Sequence, residues 1–297
     1  MAAIRVAVCT NRRPDEVAEC LDALALQGGG LGAMLVCSAL DDAQVDAHAR
    51  AARAELPGME VLREPRPGLS HARNRALAAC EDDEVLAFVD DDALVGSGWL
   101  SSLSRAWSTV PAQVACVGGP VRPRFRGRRP TWLTDPMLTV LSMLDYGSEE
   151  LDLDPFVRTV YGTNMSFRCG PLRSVGGFDP AFGHRGAHLR FSEEDEAQRA
   201  LARAGCGVRY VPGAFVWHVV PESRVTKSGV LERRFHYGAT LGARRARSLA
   251  VALRQASTSA LGAAIAAARR DEPLAMERAM RAVENAGVIA APFLGRR

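Results

Sequence analysis

Val85-Leu86-Ala87-Phe88-Val89-Asp90-Asp91-Asp92 sets an unbroken apolar run directly against three carboxylates. A short apolar run of this kind, bounded by polar turns, reads as a strand buried on both faces, as in the middle of a parallel sheet. Three aspartates at its end repel one another and cost stability unless a cation sits among them. Hard oxygen ligands in a row suit Mg²⁺ or Mn²⁺, held by one or two carboxylates together with substrate phosphates. The plainer reading of the same residues is a solvated acidic turn.

Toward the N-terminus, strand and helix patterns alternate. Ile4–Cys9 reads as a strand ending in the polar turn Thr10-Asn11-Arg12-Arg13-Pro14, and Val17, Leu21, Leu24 and Ala25 give Asp15–Leu26 a helical period. Gly28-Gly29-Gly30 stops that helix. Ala33–Cys37 is a second strand and Val45–Leu56 a second helix. Val61-Leu62 opens a third strand that runs into Pro65-Arg66-Pro67-Gly68, and a helix follows from about Ser70 to Cys80. Alternation from residue 4 to about 107 predicts an α/β fold, Rossmann-like, with a mostly parallel central sheet flanked by helices. Ligands of such sheets bind beyond the carboxyl ends of the strands, which gathers Thr10, Arg12, Arg66, Arg73 and the aspartates on one face.

Toward the C-terminus the pattern loosens. Val114–Val121 reads as a strand interrupted by Gly118-Gly119-Pro120, and residues 122–160, rich in Arg, Pro and Trp, read as an excursion or lid. Gly162–Phe167 returns as a strand, Glu193–Ala204 as a helix, and Val208–His218 as a final strand pair around Pro212-Gly213. From Gly229 onward the chain is helical, alanine-rich and studded with arginine. The expected organisation is a catalytic domain over 1–228, with a nucleotide-binding half at 1–107 and an acceptor-binding half at 108–228, followed by a helical extension at 229–297.

A formal net charge of +3 does not call for nucleic acid as a partner. Seven scattered cysteines without a Cys-x-x-Cys pair fit a reducing, cytoplasmic compartment better than a disulfide or zinc framework. The N-terminus enters a strand directly, with no signal peptide, and no uncharged apolar stretch approaches the ~20 residues that span a bilayer. The arginine-studded tail has two readings: a basic amphipathic surface lying on the inner face of a membrane, or helices packed on the catalytic domain or in a homodimer. Large apolar anchors are sparse among the alanines, which favours packing.

Three further signals carry chemistry. Gly68 permits close backbone approach, and the helix start near Ser70 offers free N–H groups to an anion, with Arg66, Arg73 and Arg75 nearby; a basic surface helix is the bland alternative. Glu193-Glu194-Asp195-Glu196, preceded by Gly183-His184-Arg185-Gly186, can furnish a general base, although acidic first turns are expected from the helix dipole alone. Trp217-His218 ends the last strand, and its histidine is either a metal ligand or structural. A phosphatase of the haloacid-dehalogenase type also places Asp-x-Asp after a strand, but it requires a downstream lysine and acidic motif. Lys227, the sole lysine here, is not followed by an acidic pair.

Taken in order, these pieces resemble glycosyltransferase family 2, the GT-A-fold family of inverting transferases. The resemblance covers about residues 4–218: Val8–Arg12, Cys20–Leu24, Gly68–Asn74, Phe88–Asp92, Gly162–Arg168, Gly176–Asp179, the acidic cluster, and Val216–His218. It implies transfer from a nucleotide-diphosphate sugar to a saccharide, lipid-linked or small-molecule acceptor with inversion, using Mn²⁺ or Mg²⁺. Thr10 and Arg12 would hold the nucleotide, and Arg73 and Asn74 would stand near the base or the donor sugar. Asp90 and Asp92 would bracket diphosphate and metal around Asp91, with His218 as a further metal ligand. The base is the second residue of the family's Glu-Asp pair: the text gives Asp195, whereas counting back from Gly205 gives Glu194, and Asp195 takes precedence here. The acidic residue usual after the second strand is missing at Cys37-Ser38-Ala39, and Asp41 is the nearest substitute. Trp132 and Tyr146 are candidates to stack on an acceptor or to anchor the core.

Two other activities compete. A sugar-nucleotide-binding protein without turnover is disfavoured by the intact triplet. A sugar-phosphate nucleotidyltransferase would need a glycine-rich phosphate loop, and Thr10–Pro14 has no glycine.

Overall fold

The structure is a computed structural model that describes residues 3–12, 14–28, 32–56, 58–181, 193–243 and 248–294. The first half follows the alternation: β1 (Ile4–Thr10), α1 (Pro14–Ala25), β2 (Gly32–Ser38), α2 (Asp42–Glu55), β3 (Glu60–Glu64), α3 (Leu69–Leu77), β4 (Val85–Asp90), β5 (Ala93–Val95) and α4 (Trp99–Thr109). In α1, Asp15 and Glu16 sit in the first turn, where the helix dipole favours them, and Val17, Cys20, Leu21 and Leu24 form its buried stripe. β4 is buried along its whole apolar length, as its composition requires.

The rest comprises β6 (Val114–Gly118), β7 (Val121–Phe125), a 3₁₀ turn at Asp135–Leu141, β8 (Leu151–Leu153), β9 (Asn164–Arg168), α5 (Cys169–Ser174), α6 (Glu193–Arg203), β10 (Gly207–Tyr210) and β11 (Val216–Val220). Then come α7 (Lys227–Ala243), α8 (Leu249–Ala268) and α9 (Glu272–Leu294). The central sheet has the order β3-β2-β1-β4-β9-β6-β10-β8, and a small second sheet has the order β5-β11-β7. Pairing is parallel among β3, β2, β1 and β4 and between β6 and β10, but antiparallel wherever β9 or β8 takes part.

Three expectations change. Gly118-Gly119-Pro120 does not interrupt one strand. It separates β6 from β7, which lie in different sheets, because a Cβ on Gly119 would overlap the carbonyls of Ala214 and Val211. β10 and β11 likewise belong to different sheets and are not a hairpin. Nor is the 122–160 stretch simply an excursion: β8 extends the central sheet, and Trp132, Leu133, Met137 and Leu141 are buried.

By its contacts the described chain forms two compact units, residues 3–123, 144–181 and 193–219 in one, and 124–143 and 220–294 in the other. The first holds a core of Phe88, Phe167 and Phe178, packed edge to face, with Leu86, Met165, Leu172 and Leu201 around them. In the second, α7 and α9 approach closely through Gly238 and Gly287, where side chains would collide with the carbonyls of Glu284 and Phe235. α8 buries only Ala252, Gly262 and Ala266. It is nevertheless long and apolar enough to cross a membrane, carrying the single charge Arg254. Arg254 breaks what would otherwise be an uncharged run of that length.

Candidate active site

The parallel register pairs Cys9 with Asp90, so the next residues along, Thr10 at the end of β1 and Asp91 just past β4, meet at the carboxyl edge of the sheet. Thr10 Oγ1 donates to Asp91 Oδ2 at 2.7 Å. Arg12 Nε lies 3.1 Å from Asp91 Oδ1, and Arg12 Nη2 donates to Asp92 Oδ2 at 2.8 Å. Burial raises the Asp91 carboxyl to about 6; Asp92 and Asp90 add to the rise, while Arg12 and the Thr10 hydroxyl oppose it. Thr10 and Arg12 thus meet two of the three aspartates, Asp91 and Asp92.

β11 pairs antiparallel with β5, placing His218 opposite Ala93, and the Val219 amide donates to the Asp92 carbonyl at 2.9 Å. His218 Nε2 consequently lies 3.1 Å from Asp92 Oδ1, with both side chains largely buried. Asp90 turns the other way. It accepts the Thr163 hydroxyl on Oδ2 at 2.7 Å and faces Arg73 Nη2 at 3.5 Å through Oδ1. The expected ligand trio is therefore divided, and among the described residues no group of three or more His, Cys, Asp or Glu side chains is arranged to hold a metal. What the structure brings together is one carboxylate and one imidazole. Those donors suit a divalent cation that takes its remaining oxygens from a diphosphate.

α3 begins at Gly68, whose φ of 124° falls in the region that only glycine adopts readily. The helix turns Arg73 inward to 2% exposure. There Nη1 donates to Glu193 Oε1 at 2.8 Å, and the guanidinium stands 5.8 and 5.6 Å from the Phe88 and Phe178 ring centres. Gly162 makes room for it, since a Cβ there would strike the guanidinium. Arg73 is thus a buried tie between Asp90 and Glu193, not an open nucleotide contact. Asn74 is also spent on the fold: Nδ2 donates to the Phe178 carbonyl at 2.7 Å, and Oδ1 accepts the Phe178 amide at 2.9 Å. Arg66 closes on Glu64 with two hydrogen bonds of 2.8 and 2.9 Å. Asp41 caps α2, accepting the Gln44 amide at 2.8 Å in a reciprocal capping box, and no described contact brings it to the triplet.

On α6 the three leading carboxylates have different surroundings. Glu193 is neutralised by Arg73. Asp195 accepts the Thr159 hydroxyl at 2.6 Å. Glu194, between them, is pushed well above the usual carboxylate range, first by burial and then by Glu193 and Asp195, with Arg73 opposing. Gln198, fully buried, fixes this helix by exchanging two hydrogen bonds with the backbone of Val160, at 3.0 and 2.8 Å. Thr159 and Gln198 are the residues that sequence reasoning missed. Thr163 and Glu193 stood inside the Gly162–Arg168 motif and the acidic cluster, but without these partners. Trp132 is buried, and Tyr146 donates its hydroxyl to the Thr159 carbonyl at 3.0 Å while its ring packs on Tyr210, so both act as anchors. Gly183-His184-Arg185-Gly186, ahead of the acidic cluster, lie outside the described residues.

Residues 2–238 match the family described as "Glycosyltransferase like family 2". The chain is 33% identical over 301 residues to the succinoglycan biosynthesis protein ExoM of Rhizobium meliloti, covering 97% of this chain and 92% of that one. It is 30% identical over 172 residues to the glucosyl-dolichyl phosphate glucuronosyltransferase of Haloferax volcanii, covering 58% of this chain and 54% of the relative. Among solved structures, S. aureus TarS (residues 1–349) overlaps all of this chain and 92% of its own, with a TM-score of 0.52 at 13% identity. GalNAc-T7, solved with UDP, GalNAc and Mn²⁺, overlaps 82% of this chain and 51% of its own, with a TM-score of 0.50 at 14% identity. The match across most of the chain, on a mixed α/β sheet of GT-A type, makes this protein an enzyme of glycosyltransferase family 2.

Proposed function

We propose that the chain transfers a sugar from a nucleotide-diphosphate sugar to a saccharide hydroxyl with inversion at the anomeric carbon. The observation that carries this reading is the convergence of Thr10, Arg12, Asp91, Asp92 and His218 at the carboxyl edge of β1 and β4. Residues 1–107 then receive the nucleotide and 108–228 the acceptor. Asp92 and His218 would hold Mn²⁺ or Mg²⁺, the ion named for GalNAc-T7 being Mn²⁺. Neutralising charge on the departing diphosphate is the chemistry such an ion supplies when bound. Arg12, already among the aspartates, adds fixed positive charge beside them.

The base that removes the acceptor proton is Glu194. Glu193 is held by Arg73 and Asp195 by Thr159, whereas burial and its carboxylate neighbours raise the pKa of Glu194 and so make it the stronger base. This reverses the precedence that the sequence text gives Asp195. The two relatives named for succinoglycan biosynthesis and for a glucosyl-dolichyl phosphate support a carbohydrate acceptor, on a growing polysaccharide or a lipid carrier.

The test is a thermal-shift panel of nucleoside diphosphates with and without Mn²⁺, on the wild type and on Asp92→Ala. A ligand at ~100 times its Kd adds about 2.7 kcal/mol to stability. One diphosphate should stabilise the wild type only with the ion, and Asp92→Ala should remove the shift. A panel with no shift in the presence of Mn²⁺ overturns the proposal.

A further inference from the structure

We infer that α8 is a membrane-docking element, seating its outer face at the headgroup–acyl boundary of an anionic bilayer. α8 is inside-out for a helix in water. It buries its small residues Ala252, Gly262 and Ala266, while Leu249, Val251, Leu253, Leu261 and Ile265 are exposed, Leu261 to 65%. The exposed apolar residues cluster at the two ends of the helix, with exposed Arg254, Ser257 and Thr258 between them, and exposed apolar surface of this kind marks an interaction surface. Two exposed hydroxyls on the same helix bond its own backbone: Ser257 Oγ donates to the Leu253 carbonyl at 3.2 Å and Thr258 Oγ1 to the Arg254 carbonyl at 3.0 Å. Polar groups satisfied by their own backbone carry little penalty away from water.

Charge selects the occupant. No aspartate or glutamate occurs between Glu232 and Asp271. Arg254, near the start of α8, and Arg269 and Arg270, just beyond its end, are all exposed. Their long side chains can carry charge to headgroups while the stems lie along apolar surface. A second copy of the same face would set arginine against arginine, whereas anionic lipid supplies the opposite charge. With ~1.5 Å rise per residue, α8 offers a face about 30 Å long.

The test is flotation of the full chain with vesicles of phosphatidylcholine alone or with one part in three phosphatidylglycerol. No donor or acceptor is present, so the result is independent of transfer activity. The wild type should float only with anionic vesicles and be released by high salt. Arg269→Glu/Arg270→Glu and, separately, Leu253→Asp/Leu261→Asp should each weaken partitioning at least ~tenfold with an unchanged melt. The arginine variant alters exposed charges only, and so decides the matter even where the leucine variant folds poorly. A wild type that stays unbound with both vesicles, or arginine variants that float as well as it does, overturns the inference. A dimer in light scattering that Leu261→Asp separates, without vesicle binding, overturns it in favour of a second copy.

Discussion

Arg73 and Glu193, 120 positions apart in sequence, meet in a 2.8 Å ion pair in which neither side chain is more than 3% exposed. A buried pair is weak evidence for stability, but breaking one strands a charge. Arg73→Met should therefore cost about 3–5 kcal/mol in urea unfolding. Removing Glu193 as well, in Arg73→Met/Glu193→Leu, should recover much of that loss. A single variant as stable as the wild type would show that the pair does not hold α3 to α6.

The raised pKa of Glu194 gives a pH dependence with a definite sign. Folding favours its protonated form, so the associated stability is complete below the ordinary carboxylate range and is lost as pH rises through the raised value. Glu194→Gln should match the wild type in acid and exceed it in stability at alkaline pH, by equilibrium unfolding across the range.

Catalysis should run the opposite way, because a base must be ionised. kcat/KM should climb with pH along a limb displaced above the usual carboxylate range. Glu194→Gln should lose ~10²–10⁴-fold in rate, while Asp195→Asn keeps the limb. A pH–rate profile in which Asp195→Asn loses that limb and Glu194→Gln retains it would return the base to Asp195.

Thr10→Val removes the one described hydroxyl that hydrogen-bonds the buried Asp91 carboxylate. The loss should be about 1–3 kcal/mol, the usual cost of leaving a buried acceptor short of a partner. Equal unfolding midpoints for the two proteins would show that the bond contributes nothing.

Asp41→Ala should cost about 1 kcal/mol through the lost cap of α2, and Asn74→Ala about 1–3 kcal/mol through the freed Phe178 backbone. Neither should alter the Kd of a nucleoside diphosphate, measured by calorimetry. A tenfold weakening in either variant would restore that residue to the nucleotide site.

The legible parts of the fold were those written locally. β1 through β4 follow from periodicity and turn residues, and the carboxyl-edge rule brings Thr10 and Arg12 to the aspartates. What was not legible depends on pairing. The period of β9 announces a strand, but not that it runs antiparallel between β4 and β6, the arrangement that places Thr163 on Asp90. Likewise Arg73 and Asn74 look like an arginine–asparagine pair awaiting a ligand, until Glu193 and Phe178 arrive from more than a hundred residues away. β8 is three residues long and carries too little pattern to separate from a loop.

Asn164 has a consequence for how the chain is made. Its side chain accepts from Trp99 Nε1 at 2.9 Å and donates to the carbonyls of Pro120 and Ala214 at 3.1 and 2.7 Å. During vectorial synthesis β4 has only β1 beside it, with its other flank an open, wholly apolar edge, until Asn164–Arg168 has left the ribosome. The centre of the sheet is sealed only later, when Ala214 reaches that amide. A nascent chain stalled between these points exposes its stickiest strand.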